Sequence, residues 1–191
     1  GLTCARALSS GGHSVVVFEK SRGPGGRTSS KRTEAGSFDL GCQFLQAKTA
    51  PFASALDDWA RQGIVVPWQG RIGTINSGVW RPLEPLDPAA IGSKRWVPRE
   101  RSSQLARFLA QDLEVITSTR VMDIRRASGG YLLNTESQGD FGPFEHVIVA
   151  TPAPQALPLV SLSSTLSLDL SQVDFSAVWA IAVELVTERD Y

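Results

Sequence analysis

Residues 1–27 narrow the choice of fold more than any other stretch of this chain. Small residues dominate the start: Gly1, Leu2, Ala5, Ala7 and Leu8 suit a helix over residues 2–10, with Leu2, Ala5 and Leu8 on one face. Gly11 and Gly12 supply the stop that a helix C-terminus favours. Val15, Val16, Val17 and Phe18 form a short, continuous apolar run, the pattern of a buried strand over residues 14–19. That strand closes on an acid, Glu19, and opens into Gly23, Pro24, Gly25, Gly26 and Arg27. Helix, strand, terminal acid and basic glycine loop, in that order, read as the second half of a dinucleotide-binding βαβ unit. There an acid about 20 residues past a first glycine loop holds ribose hydroxyls. Gly1 is then at most the last glycine of that first loop, and the chain reads as entering the unit midway.

The 191 residues are enough to bury a real core. Nineteen basic residues balance nineteen acidic ones, so no net field points to nucleic acid or to an anionic membrane surface. Two cysteines, Cys4 and Cys42, make no disulfide framework, and with His13 and His146 they show no metal-ligand spacing. A reducing, cytoplasmic setting fits this cysteine usage, with a lost targeting segment left open at the N-terminus. No apolar run reaches membrane-spanning length.

Further along, residues 21–37 read as a polar loop and 38–44 as a compact mixed segment. A helix is expected over 51–62, with Phe52, Leu56 and Trp59 on one face and Gly63 as its stop. Residues 64–96 break into short apolar runs separated by Gly, Pro and Asn, a region of strands and turns that carries Trp68, Trp80 and Trp96. A helix returns over 102–112 on Leu105, Phe108 and Leu109. Strands follow at 114–117, 119–126 and 131–135, the last two joined by a turn at Gly129 and Gly130. A buried strand over 146–150 runs into Thr151, Pro152, Ala153 and Pro154, where a loop or helix begins. Residues 161–171 carry little signal, and 178–186 read as a long final strand. An α/β dinucleotide domain closes its sheet with further strands, so the chain reads as a fragment at both ends.

Each chemistry-bearing residue has a plainer reading beside it. Glu19 can accept two hydrogen bonds from ribose hydroxyls, or be a solvated acid paired with Lys20 or Arg22. Gly25 and Gly26 let backbone amides approach a pyrophosphate, with Arg27 as a charge-assisted partner; the alternative is a flexible basic turn. Asp39 before Gly41, and Gln43 after it, are either cofactor contacts or local turn formers. The tryptophans could line a substrate pocket or simply pack in the core. Cys42 is by default a small buried residue.

The segment GLTCARALSSGGHSVVVFEKSRGPGGR (1–27) resembles the flavin-containing amine oxidoreductases, and within them the renalase-like branch. FDLGCQF (38–44), WVP (96–98), VMDI (121–124) and HVIVATPAPQAL (146–157) are similar to successive segments of that branch, in the same order. The resemblance implies an α/β, Rossmann-like FAD/NAD(P)-binding domain with an inserted mixed β substrate region. It divides the chain into a partial FAD-binding segment (1–62), the start of a substrate-domain insertion (63–101), a return to the FAD-binding domain (102–160) and the start of a second substrate segment (161–191). It implies cofactor contacts from Gly1, Glu19, Lys20, Gly25, Gly26 and Arg27. Asp39, Gly41 and Gln43 would run past the flavin ring, Val121 would meet the adenine through its backbone, and Thr151 and Pro152 would end a strand near the cofactor. Leu40 stands where the pattern often has histidine, Cys42 where it has alanine, and residues 99–101 replace a glycine-containing turn.

The function so implied is FAD-dependent hydride transfer from a small substrate, a reduced nicotinamide nucleotide or an amine, with dioxygen as acceptor. No residue stands out as a catalytic acid or base, which agrees with a substrate that is itself a ready hydride donor. Two rivals share the same opening: an NAD(P)-dependent reductase, and a truncated nucleotide-binding or interaction module without catalysis. The second glycine site at Gly25 and Gly26 argues against the first of these.

Overall fold

The computed structural model describes residues 1–34, 36–69, 73–82 and 94–183. In chain order the elements are α1 (Leu2–Ser10), β1 (Val16–Phe18), β2 (Lys31–Thr33), β3 (Gly36–Phe38), α2 (Ala50–Arg61), β4 (Val65–Pro67), β5 (Gly73–Asn76), β6 (Val79–Pro82), β7 (Trp96–Pro98), α3 (Ser102–Leu109), β8 (Glu114–Ile116), β9 (Val121–Ala127), β10 (Gly130–Thr135), β11 (Gly139–Phe144), α4 (Ala153–Ala156) and α5 (Ser164–Ser171). The chain divides into two compact units, Gly1–Pro24 with Leu109–Trp179, and Gly25–Phe108 with Ala180–Tyr191.

In the first unit, α1 buries Ala5 and half-buries Leu2 and Leu8, the face that the residue spacing predicts. It ends as expected: Gly12 takes φ +87°, and the amides of Gly11, Gly12 and His13 reach back to the carbonyls of Ala7, Ser9 and Leu8. The chain then enters β1, which pairs in parallel with β8, Val16 facing Glu114 and Phe18 facing Ile116. Parallel strands need a crossover connection, so this pair is consistent with an α/β arrangement. β9, β10 and β11 make an antiparallel meander, with Gly129 and Gly130 at positive φ around the first turn. Phe18 meets Phe141 and Phe144 edge-on at 5.0 and 5.9 Å, so β1 and the meander share an aromatic contact within this unit.

The second unit packs around Ala47, Leu56, Val65 and Trp96. Leu56 of α2 is fully buried, with Phe52 and Trp59 against the same cluster, and Gly63 (φ +72°) closes the helix where its sequence predicts. β4 and β7 pair antiparallel beneath it, Val65 facing Pro98. Trp96 therefore takes the core role among the three tryptophans, whereas Trp80 is exposed on the β5–β6 hairpin and Trp68 tilts against Phe44 at 5.5 Å.

Several expectations need correction. β1 is half-buried rather than buried, because a single neighbour, β8, flanks it among the described residues. Residues 21–37 are not merely loop: Gly26–Thr28 form a 3-10 turn, and β2 and β3 pair as a hairpin, Lys31 facing Phe38. Residues 146–150 join no described sheet; Val147 and Val149 are half-buried while Ile148 is 59% exposed. An apolar run fixes a preference for strand, but a ladder needs a partner. Residues 178–183 are likewise outside any strand, and the rest of that expected strand lies outside the described residues. Residues 161–171, which carry little sequence signal, hold a helix, α5, whose N-cap Ser163 accepts from the Leu166 amide. Among the described residues no helix is long and apolar enough to cross a membrane.

Candidate functional site

The acid at the end of β1 is held by its backbone on both sides. The Glu19 amide donates to the Ile116 carbonyl (2.9 Å) and its carbonyl accepts from Thr119 (3.0 Å), while Ser118 donates to the Ser21 carbonyl (2.9 Å). β8 and the turn after it thus clamp residues 19–21. Glu19 Oε1 accepts from the Ser21 amide at 2.8 Å, and Oε2 has no hydrogen bond among the described residues. Neither Lys20 nor Arg22 pairs with it there. Instead, Lys20 Nζ donates to Gln155 Oε1 (3.1 Å), a residue of α4. Lys20, Ser21, Arg120 and Glu136 line an open cleft of ≈ 310 Å³. Below it Thr119, 1% exposed, donates to the Thr117 carbonyl (3.0 Å) and accepts from Gln138 Nε2 (2.8 Å).

The other candidates of this unit lie at element ends. Gly1 is the N-cap of α1, and its carbonyl accepts from Ala5 at 2.9 Å. The first turn of α1 carries neither an acid nor a side-chain cap, so its free amides and the positive end of its dipole suit an anion. The glycine also lies close to Ala150: a Cβ there would meet the Ala150 Cβ at 3.4 Å. Val121 opens β9 opposite Thr135, next to Arg120, whose carbonyl accepts from the Glu136 amide at 3.0 Å. Pro152 is the N-cap of α4 and accepts from Gln155 and Ala156, while Thr151 before it is exposed. The spacing of charged residues gave no hint of Arg120, Glu136 and Gln155. Only the pairing of β9 with β10 and the return of α4 bring them beside Lys20.

In the second unit the glycine loop is a built turn. Gly25 (φ +138°) and Gly26 (φ +49°) occupy backbone regions that side chains rarely enter. The Gly25 carbonyl accepts from both the amide (2.8 Å) and the hydroxyl (2.7 Å) of Thr28, and the Gly26 carbonyl accepts from Ser29 at 3.2 Å. A Cβ on Gly26 would meet open space, so that glycine leaves its amide approachable. Arg27 extends from this turn and is exposed. Against it runs the 39–43 segment. Gly41 packs flush on the Arg27 carbonyl, and a methyl there would overlap that oxygen. Asp39 spends its carboxylate on the N-terminus of α3: the Ser102 amide donates to Oδ1 and Oδ2, each at 3.0 Å. Gln43 is exposed and makes no hydrogen bond among the described residues. Burial, then the nearby Asp39 charge, pushes the Cys42 thiol up against an opposing bond to the Phe44 carbonyl, which keeps it a neutral thiol.

Six candidates thus belong to one unit (Gly1, Glu19, Lys20, Val121, Thr151, Pro152) and six to the other (Gly25, Gly26, Arg27, Asp39, Gly41, Gln43). Each set by itself fits part of a dinucleotide: an unshared carboxylate oxygen for a ribose hydroxyl, an uncapped helix start for phosphate, and a glycine turn with open amides beside an arginine.

Residues 1–60 and 76–185 match the model of one protein family, described as flavin containing amine oxidoreductase. The match spans both units, and the chain belongs to that family. The membership carries with it an FAD cofactor, FAD-dependent oxidoreduction as the class of activity, and a Rossmann-like α/β fold for the cofactor domain.

Proposed function

We propose that this flavin-dependent oxidoreductase is of the renalase-like kind, taking a hydride from a small donor such as a reduced nicotinamide nucleotide or an amine, with dioxygen as the final acceptor. Glu19 carries the reading. A half-buried carboxylate at the end of a parallel strand, pinned through its backbone and with one oxygen unshared, is suited to a ribose diol. Gly1 and the start of α1 take phosphate, Lys20 and the Val121 backbone face the adenosine, and Thr151 and Pro152 border it. The Gly25, Gly26 and Arg27 turn takes the pyrophosphate, and Gly41 and Gln43 run beside the ring. Lys20, held by Gln155, offers its remaining ammonium protons to a ligand at the cleft.

When bound, FAD supplies the two-electron acceptor chemistry. The chain's own part is to bind and orient. Glu19 accepts a hydrogen bond from a ribose hydroxyl, Gly26 exposes an amide, and Arg27 offers a bidentate partner to a phosphate. A substrate that gives up hydride directly needs no side chain to move a proton. The long apolar segment 178–183, with Trp179 at 92% exposure, belongs on this reading to the substrate portion, as do residues 63–101.

The reading is tested by titrating the chain with FAD and following the visible flavin bands. Glu19→Ala should weaken FAD by about 1–3 kcal/mol, the worth of a lost hydrogen bond to a charged group. Unchanged affinity in that variant removes the ribose assignment, and an unliganded wild-type chain favours a nucleotide-binding module without catalysis. Anaerobic bleaching of the loaded protein by a reduced nicotinamide nucleotide, and not by amines, selects between the two donor classes.

A further inference from the structure

Asp39 makes its contacts with a helix that begins 63 residues later in the chain. The Ser102 amide, the first of α3, is taken by both of its oxygens, and the next amide, Ser103, donates to Ser30 Oγ at 3.1 Å. Ser30 lies just past the 3-10 turn of Gly26–Thr28, after its C-cap Ser29. The Ser102 hydroxyl donates to the Cys42 carbonyl at 2.8 Å and so anchors the far end of the segment that bears Asp39. Between these anchors Gly41 rests on the Arg27 carbonyl. One turn further along α3, Ala106 stands beneath Gly25, 3.4 Å from where a Cβ would be. The turn is therefore held from three sides, by Ser30 on the helix start, by Gly41 on its carbonyl and by Ala106 under its first glycine.

α3 has no acid in its own first turn. Asp39 supplies from elsewhere the negative charge that a helix N-terminus favours, and it satisfies an amide in a partly buried place. A carboxylate left free beside a phosphate-binding turn would oppose the ligand's charge; bonded to the α3 amide, that charge is partly offset. We propose that Asp39 is a positioning residue, holding the 25–27 turn in its binding geometry through the N-terminus of α3 rather than by touching the cofactor. The proposal rests on the reading that this turn takes the pyrophosphate, but its mechanical part stands apart from that reading.

The test uses the full chain and two readouts, amide hydrogen exchange at Thr28 and Ser29 without ligand, and FAD affinity. Asp39→Asn and Ser30→Ala should each speed that exchange by about three- to tenfold and weaken FAD by a similar factor, as loss of one charge-assisted or neutral hydrogen bond predicts. The double variant should be no worse than the stronger single, because both act on one helix end. Unchanged exchange in Asp39→Asn, or single effects that multiply in the double variant, would overturn the proposal. If wild-type chain fails to take FAD, the flavin reading falls while the exchange data still decide the positioning role. Should Asp39→Asn not fold, Ser102→Pro against Ser102→Ala reads the same link. Both variants lose the hydroxyl bonded to the Cys42 carbonyl, and relative to alanine proline also deletes the amide that Asp39 accepts from, at a helix position that tolerates it. Faster exchange with proline than with alanine supports the proposal, and equal exchange overturns it.

Discussion

Gly41 shows how much one residue can be asked to do without a functional group. No unusual torsion requires glycine there; the neighbouring Arg27 carbonyl does, because any Cβ would overlap it. Gly41→Ala must push the 39–43 segment off the turn, and overpacking of this kind costs about 1–3 kcal/mol. The expected outcome is a lower urea midpoint at unchanged slope, together with weaker FAD binding. The two cysteines differ for a similarly local reason. Cys4 is exposed on α1, whereas burial and the Asp39 charge keep the Cys42 thiol protonated. At mildly alkaline pH a thiol-alkylating reagent should label Cys4 several times faster than Cys42, read by mass spectrometry of the modified peptides. Equal rates would mean that Cys42 is neither shielded nor held neutral. Of these residues the sequence pattern marks Gly41 as a site position. That its reason is the Arg27 carbonyl needs the fold, since the two are fourteen positions apart in the chain.

Among the elements, the meander of β9, β10 and β11 carries its own pH dependence. Asp140 accepts from Asn134 Nδ2 at 2.7 Å and from Arg125 at 2.5 Å, and these partners, Asn134 first, hold its carboxyl below the ordinary carboxylate value. A lowered folded value means stability that is present above the unfolded value of about 4 and lost as pH falls through the folded one. Asp140→Asn should therefore flatten the acid limb of a plot of Tm against pH by lowering the neutral plateau slightly, leaving the most acidic values nearly unchanged. A limb as steep as in the wild type would remove this assignment. Elements with strong local signals were legible: α1 from its small apolar face and glycine stop, α2 from Phe52, Leu56 and Trp59, and the β9–β10 turn from Gly129 and Gly130. Elements that depend on a distant partner were not. The run at 146–150 has strand composition but no described ladder, while β2 and β3, polar and short, form one that composition hides.

For the molecule as a whole, family membership gives the cofactor, and binding of FAD to the native state alone must raise stability by mass action. At a hundredfold excess of free FAD over its dissociation constant the gain is about 2.7 kcal/mol, visible as a concentration-dependent rise in Tm. A Tm indifferent to FAD would show that this chain does not hold it when folded. The candidates legible in the sequence are glycines and an acid at element ends, residue types that phosphates and ribose hydroxyls would demand on the proposed reading. Arg120, Glu136 and Gln155 in one unit, and the α3 start in the other, are brought beside candidates by pairing and packing and carry no motif. The span from Asp39 to Ser102 also sets an order of events. During synthesis the glycine turn leaves the ribosome well before the helix that steadies it, so a nascent chain lacking residues 102–109 holds the turn without its clamp. Closing so long a loop costs entropy before any contact repays it. On the proposed reading, the turn therefore reaches its binding geometry only after α3 has been made, late in translation.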